Sequence, residues 1–95
     1  MLKFDWDEGK NGTNQRKHGI SFEEAQTVFF DEDAIEFDDP CESAKEARFL
    51  IIGRSIRLRI LIVSYCFRQS IIRIISARKA TNKERTYYMS RGKSS

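Results

Sequence analysis

The chain is poor in the residues that most often carry metal or redox chemistry. Of its 95 residues, one is histidine, two are cysteine and one is tryptophan. A lone histidine, His18, excludes the paired-histidine ligand sets of most zinc sites. Cys41 and Cys66 have neither metal-type nor redox-type spacing and read as free thiols of a reducing compartment. No run approaches the ~18 apolar residues that span a bilayer. The opening Met1-Leu2-Lys3-Phe4-Asp5-Trp6-Asp7 lacks the basic-then-apolar plan of a signal peptide. A cytoplasmic protein with no membrane partner is expected. There is no GxxxxGK[ST] loop, no GxGxxG after a strand and no nucleophile elbow.

Carboxylates are also scarce, but only in one half. Residues 48–95 hold twelve Lys/Arg and a single acid, Glu84, whereas residues 1–47 hold thirteen Asp/Glu against five Lys/Arg. This asymmetry points to a polyanion-binding surface in the second half. Nine of its twelve cations are arginine, whose fork bonds two phosphate oxygens at once. The acidic half can be a solvated face, a surface for a basic partner, or a counterweight that folds back on the basic half.

What is present suffices for one core. Hydrophobic residues make up 40% of the chain, including seven Phe and three Tyr, and a second core would not fit. A single domain over 1–90 is expected, with 91–95 a flexible tail.

The local signals are ordered. Leu2 to Trp6 alternates like a half-buried strand. Asp7 can cap a helix to about His18, with Gly19 supplying a left-handed stop. Gly9 and Gly12 weaken that helix by roughly 1 kcal/mol each relative to Ala, so it must rely on tertiary contacts. Ser21-Phe22-Glu23-Glu24 reads as a capping box, with Ile20 and Ala25 as its apolar staple, opening a helix that ends near Asp31. Ala34–Phe37 reads as a short strand, then an acidic turn at Asp38-Asp39-Pro40 and a loop over Cys41–Glu46. Arg48–Gly53, Arg59–Cys66 and Ser70–Ala77 read as central strands covered on both faces, joined by short antiparallel links. Thr81-Asn82-Lys83-Glu84 is a second capping box, for a helix through about Met89. The expected fold is α+β: an antiparallel sheet packed against two N-terminal helices and one C-terminal helix.

Candidate site residues follow from charge and position. His18 has the only side chain with an unperturbed pKa near neutrality, and can serve as acid or base. Equally, a histidine in a helix's last turn suits the dipole there. Arg48, Arg54, Arg57 and Arg59 surround a hairpin turn, and Arg54 can project into a sheet-edge cleft. Counting by twos, Arg73 and Arg78 lie on opposite faces of their strand unless a bulge intervenes. Arg78, at the strand's end, is the freer for a site. Arg73 either binds an anion or pairs with an acid from the first half. Lys79, Lys83 and Arg85 flank a helix N-terminus, which attracts phosphate, though solvated cations are the plainer alternative. Tyr87 and Tyr88 can stack on bases or anchor the helix to the sheet. The acidic runs Asp31-Glu32-Asp33 and Asp38-Asp39 lack the loop spacing of a calcium site. Neither a metal nor another cofactor is expected.

Three blocks carry a family resemblance. They are Phe4-Asp5-Trp6-Asp7 with Lys10, Asn14 and Lys17 through Ala25; Glu46 through Arg54; and Ile72 through Thr81 with Glu84, Arg85 and Tyr87. In order and spacing they resemble the BrnT family of type II toxins over nearly the whole chain. The departures are Gly9, Gly12 and the stretch from Asp31 to Lys45. The resemblance implies a RelE-like fold and an endoribonuclease that inhibits translation. It implies a BrnA-like antitoxin, two of each chain in a heterotetramer, and contact with operator DNA only through that antitoxin. By position it implies a catalytic set of Lys17, His18, Arg54 and Arg78. RNA-binding roles fall to Arg73, Lys79, Lys83 and Arg85. The expected chemistry is metal-independent attack by the RNA's own 2′-hydroxyl. The rival readings are a non-catalytic nucleic-acid-binding module and a subunit that only binds a protein partner.

Overall fold

The computed structural model describes residues 1–40 and 46–92. In order they form β1 (Phe4–Asp5), α1 (Glu8–His18), α2 (Phe22–Ala25), a 3-10 turn (Gln26–Phe30), β2 (Ile35–Asp38), β3 (Arg48–Arg54), β4 (Ile60–Arg68), β5 (Ile71–Lys79) and α3 (Asn82–Gly92). The loop expected at Cys41–Glu46 lies, but for Glu46, outside the described residues, as do Cys41 and the last three residues of the expected tail.

The five strands make one sheet in the order β1-β5-β4-β3-β2. Here one expectation is corrected: the sheet is mixed, because β1 runs parallel to β5 while the other pairs are antiparallel. Alternation in Leu2–Trp6 gives a strand but no direction. The direction is set by where the chain can meet the open edge of β5, and it does so with Lys3 O accepting from Ile72 N at 2.9 Å.

Helices cover both faces. α1, α2 and the 3-10 turn pack on one side, where Ile20, Phe22, Val28, Leu61 and Val63 are fully buried. α3 covers the other side at one end, burying Tyr88 against Ile52 and Ile62. Ile20 and Ala25 are both buried in the first cluster, as the staple requires. Gly53 lets β3 pass close beneath the 3-10 turn: a Cβ there would stand 2.9 Å from Val28 Cγ1 and 3.1 Å from Ala34 Cβ.

α1 contains no apolar side chain in Glu8–His18, and polar anchors hold it in place. Asp7 caps it, accepting from Lys10 N at 3.0 Å, and Gly19 stops it at φ +71°. Asn11 and Asn14 are its buried residues. Asn14 Nδ2 donates to the carbonyls of Ile20 (2.9 Å) and Ala77 (2.8 Å), while its Oδ1 accepts from Ala77 N (3.1 Å). Beyond the two residues that β1 covers, this asparagine serves β5 as a neighbouring strand would. Asn11 Oδ1 accepts from Phe22 N at 2.9 Å and so satisfies a first-turn amide of α2.

A register shift opposite Ser64/Tyr65 pairs Ser64 with Ser76 and Tyr65 with Ile74, leaving Ile75 as an extra residue. The bulge moves Ile74 and Ala77 onto one face. Arg73 and Arg78 therefore share the α3 face, at opposite ends of β5.

Candidate functional site

The β3–β4 hairpin turns through Ser55–Arg59, and a buried carboxylate from the other end of the chain fixes it. Glu24 accepts from Ser55 Oγ (2.7 Å) and Arg59 Nε (3.0 Å) and forms a second, short contact with Arg59 Nη2. Its expected capping role is half corrected. Ser21 Oγ does accept from Glu24 N at 3.0 Å, but the Glu24 carboxylate is spent on the hairpin. Burial pushes this carboxyl up, and the hydrogen bonds from Arg59 and Ser55 outweigh that and hold it below its ordinary range. Arg59 also donates to Gly19 O at 3.4 Å, which ties the hairpin to the end of α1.

Beside this turn lies a cleft of about 500 Å³ between the hairpin, the end of β5 and α3. Arg54, Arg59, Lys79 and Arg85 line it, and no carboxylate does among the described residues. Arg59 is tied to Glu24. Arg54, Lys79 and Arg85 are exposed and form no ion pair among the described residues, although Asp31 lies close enough to Arg54 for its charge to be felt. Leu58, Ile60, Ala80 and Met89 supply the apolar wall, and Arg54 Nη2 rests 3.8 Å from Met89 Sδ. The Arg54 backbone is fixed from below: its N–H donates to Asp31 Oδ2 at 2.7 Å, and the same oxygen takes the hydroxyl of Tyr88. Burial raises the Tyr88 hydroxyl, and Asp31 adds to this, to about 12.

The other candidates lie elsewhere. Lys17 and His18 are exposed and line a separate groove with Lys10, Thr13 and Ser76 along the bulged edge of β5. His18 immediately precedes Gly19, whose carbonyl meets the cleft's Arg59. Arg78 forms a two-pronged ion pair with Glu84 at 2.8 and 2.9 Å. Arg73 pairs with Asp5 at 3.3 Å, the acidic partner that the sequence allowed as one alternative. Lys83 is exposed and lines neither space. Tyr88 anchors α3, while Tyr87 is exposed with Arg91 over its ring. Arg59 and Met89 join the site without having been expected there from the sequence. Arg59 is one of four hairpin arginines, and nothing local marks it as the one tied to Glu24. The counterweight reading of the acidic half is the one seen: Glu24–Arg59, Asp5–Arg73 and Glu46–Arg68 all join the two halves.

Glu84 completes the cap that Glu24 does not. Its Oε1 accepts from Thr81 N at 2.8 Å while Thr81 Oγ1 accepts from Glu84 N at 3.2 Å. The Arg78 guanidinium beside it, aided by that amide, holds its carboxyl down to about 2. A carboxyl depressed on folding contributes stability that is complete above its ordinary value of 4.5 and is lost as pH falls toward 2. Glu84→Gln, which keeps an acceptor for Thr81 but cannot pair with Arg78, is expected to flatten the fall in melting temperature between pH 4.5 and 2. An unchanged pH profile would show that the pair contributes nothing.

No three His, Cys, Asp or Glu side chains converge as a metal site among the described residues. Nor is any helix there long and apolar enough to cross a membrane.

A five-stranded mixed sheet, clad by helices on both faces and opening at one end into a cationic cleft, defines a small α+β protein. Comparison places it further. The family model described as "Ribonuclease toxin, BrnT, of type II toxin-antitoxin system" matches residues 6–84, and the chain belongs to that family. Its fold is similar to the crystal structure of the Brucella abortus ribonuclease toxin BrnT, at 28% identity and a TM-score of 0.67, over 86% of this chain and all of that one. Comparison with curated proteins finds no significant match.

Proposed function

We propose that this protein is a RelE-like endoribonuclease acting in the cytoplasm, which inhibits translation by cutting RNA through the 2′-hydroxyl route without a metal. The observation that carries the proposal is the cleft: Arg54, Lys79 and Arg85 gathered from three elements, with no acid among the lining residues. The RNA 2′-oxygen attacks the adjacent phosphorus and the 5′-oxygen leaves, giving a 2′,3′-cyclic phosphate and a 5′-hydroxyl end. The charge that builds on the non-bridging oxygens is met by Arg54 and Arg85, an electrostatic contribution that usually dominates such catalysis. Lys79 holds the neighbouring phosphate. His18, next to the Gly19 whose carbonyl contacts the cleft's Arg59, moves the proton from the 2′-hydroxyl toward the leaving 5′-oxygen, with Lys17 beside it binding the RNA backbone. Arg78 serves the phosphate after exchanging its Glu84 partner for it. Arg73 and Lys83 lie along the path of the bound chain.

The partner is a BrnA-like antitoxin in a two-plus-two assembly that reaches operator DNA only through the antitoxin. In the test, RNA is incubated with the protein in EDTA and the ends are analysed. Cyclic phosphate and 5′-hydroxyl termini are expected, with His18→Ala roughly 10²-fold slower. Intact RNA in EDTA that is cleaved once magnesium is restored, or 5′-phosphate ends, would overturn the route.

A further inference from the structure

The cleft has an apolar neighbour. At the hairpin tip Ile56 is 75% exposed, and Phe30 on the facing 3-10 turn is 66% exposed. Between them lies a groove of about 420 Å³, lined also by Thr27, Asp31, Ser55 and Arg54. Arg54 is the shared wall, since it lines both this groove and the cationic cleft.

The turn that presents Ile56 is held rigidly. Ile56 N donates to Thr27 Oγ1 at 2.9 Å, Ser55 N to Arg59 O at 2.8 Å, and Leu58 N to Ser55 O at 2.8 Å, all over the buried Glu24. Leu58 accepts a left-handed φ of +65° to complete it. Large apolar groups fixed outward on an ordered scaffold lose little entropy when covered, as a binding hot spot requires.

We propose that this groove and the adjoining cleft form the docking surface of the protein antitoxin. On this account the partner's segment sets apolar side chains between Phe30 and Ile56 and carboxylates against Arg54 and Arg85. The proposal rests on the reading of the cleft as the RNA site, because it makes neutralisation a direct exclusion of RNA. Charge complementarity fixes the occupant. Arg54, Lys79 and Arg85 outnumber the one lining carboxylate, Asp31, whose oxygens are already engaged by Arg54 N, Asp33 N and the Tyr88 hydroxyl, so the surface fits an acidic, apolar-anchored peptide. A second copy in a two-fold contact would set cationic cleft against cationic cleft. RNA is polar along its backbone, and of the two walls only Phe30 offers it a ring for stacking, while the more exposed Ile56 offers none.

The test uses a purified BrnA-like antitoxin that neutralises this protein and a 2′-O-methyl oligoribonucleotide that cannot be cut. Phe30→Ser/Ile56→Ser, and Ile56→Ser alone as the variant with less packing to lose, are measured by calorimetry with each. The antitoxin Kd is expected to weaken roughly 30-fold or more in the double variant, with oligoribonucleotide affinity and RNA cleavage unchanged. Antitoxin affinity unchanged in both variants would overturn the proposal. So would a loss confined to the oligoribonucleotide, which would assign the groove to RNA, or one confined to self-association in sedimentation. Because the Kd is read without turnover, an inactive wild type would defeat the nuclease reading and leave the docking result standing.

Discussion

Replacing Arg54 or Arg85 with alanine is expected to lower RNA cleavage by roughly 10²–10³-fold, the usual effect of deleting one group that meets developing charge, with little change in melting temperature. Both side chains line the cleft without an ion pair among the described residues, so neither deletion strands a buried partner. Arg59→Ala is the contrast. It abandons Glu24, which is 6% exposed, and leaves an uncompensated buried carboxylate. Removing one partner of a buried pair commonly costs about 3–5 kcal/mol, so this variant should lose stability along with activity. Cleavage rates and thermal melts on the three variants separate the two effects. Full activity in both Arg54→Ala and Arg85→Ala would remove the cleft from the chemistry.

The second large effect is on folding. Asn14→Asp is expected to destabilise the protein by about 3–5 kcal/mol, since it sets a buried charge against two carbonyl oxygens with one amide, Ala77 N, to offset it. Asn14 is 6% exposed and donates to two carbonyls, those of Ile20 and Ala77. Aspartate removes both donors and aims a carboxylate at the same oxygens. Asn14→Ala removes the donors without adding charge and should cost less, about 2–3 kcal/mol. Against a total of roughly 5–15 kcal/mol for a domain of this kind, the aspartate variant should be largely unfolded near physiological temperature. Urea titrations of the variants decide it. A loss under about 1 kcal/mol for both would show that α1 is held by something other than its asparagines.

Glu24 and Asn14 both find partners that their local sequence does not announce. Signals confined to a few neighbouring residues translated directly into structure. Asp7 and Gly19 bound α1, Thr81 and Glu84 cap each other, and three apolar runs became β3, β4 and β5. Pairings across long separations were not legible. The Ser21–Glu24 motif looks the same as Thr81–Glu84 in sequence. Its carboxylate was drawn instead to Ser55 and Arg59, more than thirty residues away, because they close over it where water cannot. Likewise, nothing in Ile71 to Lys79 announces a bulge at Ile75. The bulge arises from matching β5 to β4 and places Arg73 and Arg78 on one face.

The candidate site divides in the same way. Composition marked arginine as the working residue, and Arg54, Lys79 and Arg85 do meet in one cleft. Charge alone cannot say which cations will be claimed by acids. Arg73 went to Asp5 and Arg78 to Glu84, while Lys17 and His18 took the neighbouring groove.

Binding of RNA backbone by this cleft is tested most directly by a crystal structure with a 2′-O-methyl oligoribonucleotide. A phosphate within hydrogen-bonding distance of at least two of Arg54, Arg59, Lys79 and Arg85 is the result the account predicts. A nucleic-acid chain lying along the β2 edge or another surface, with those four side chains facing only solvent, would contradict it.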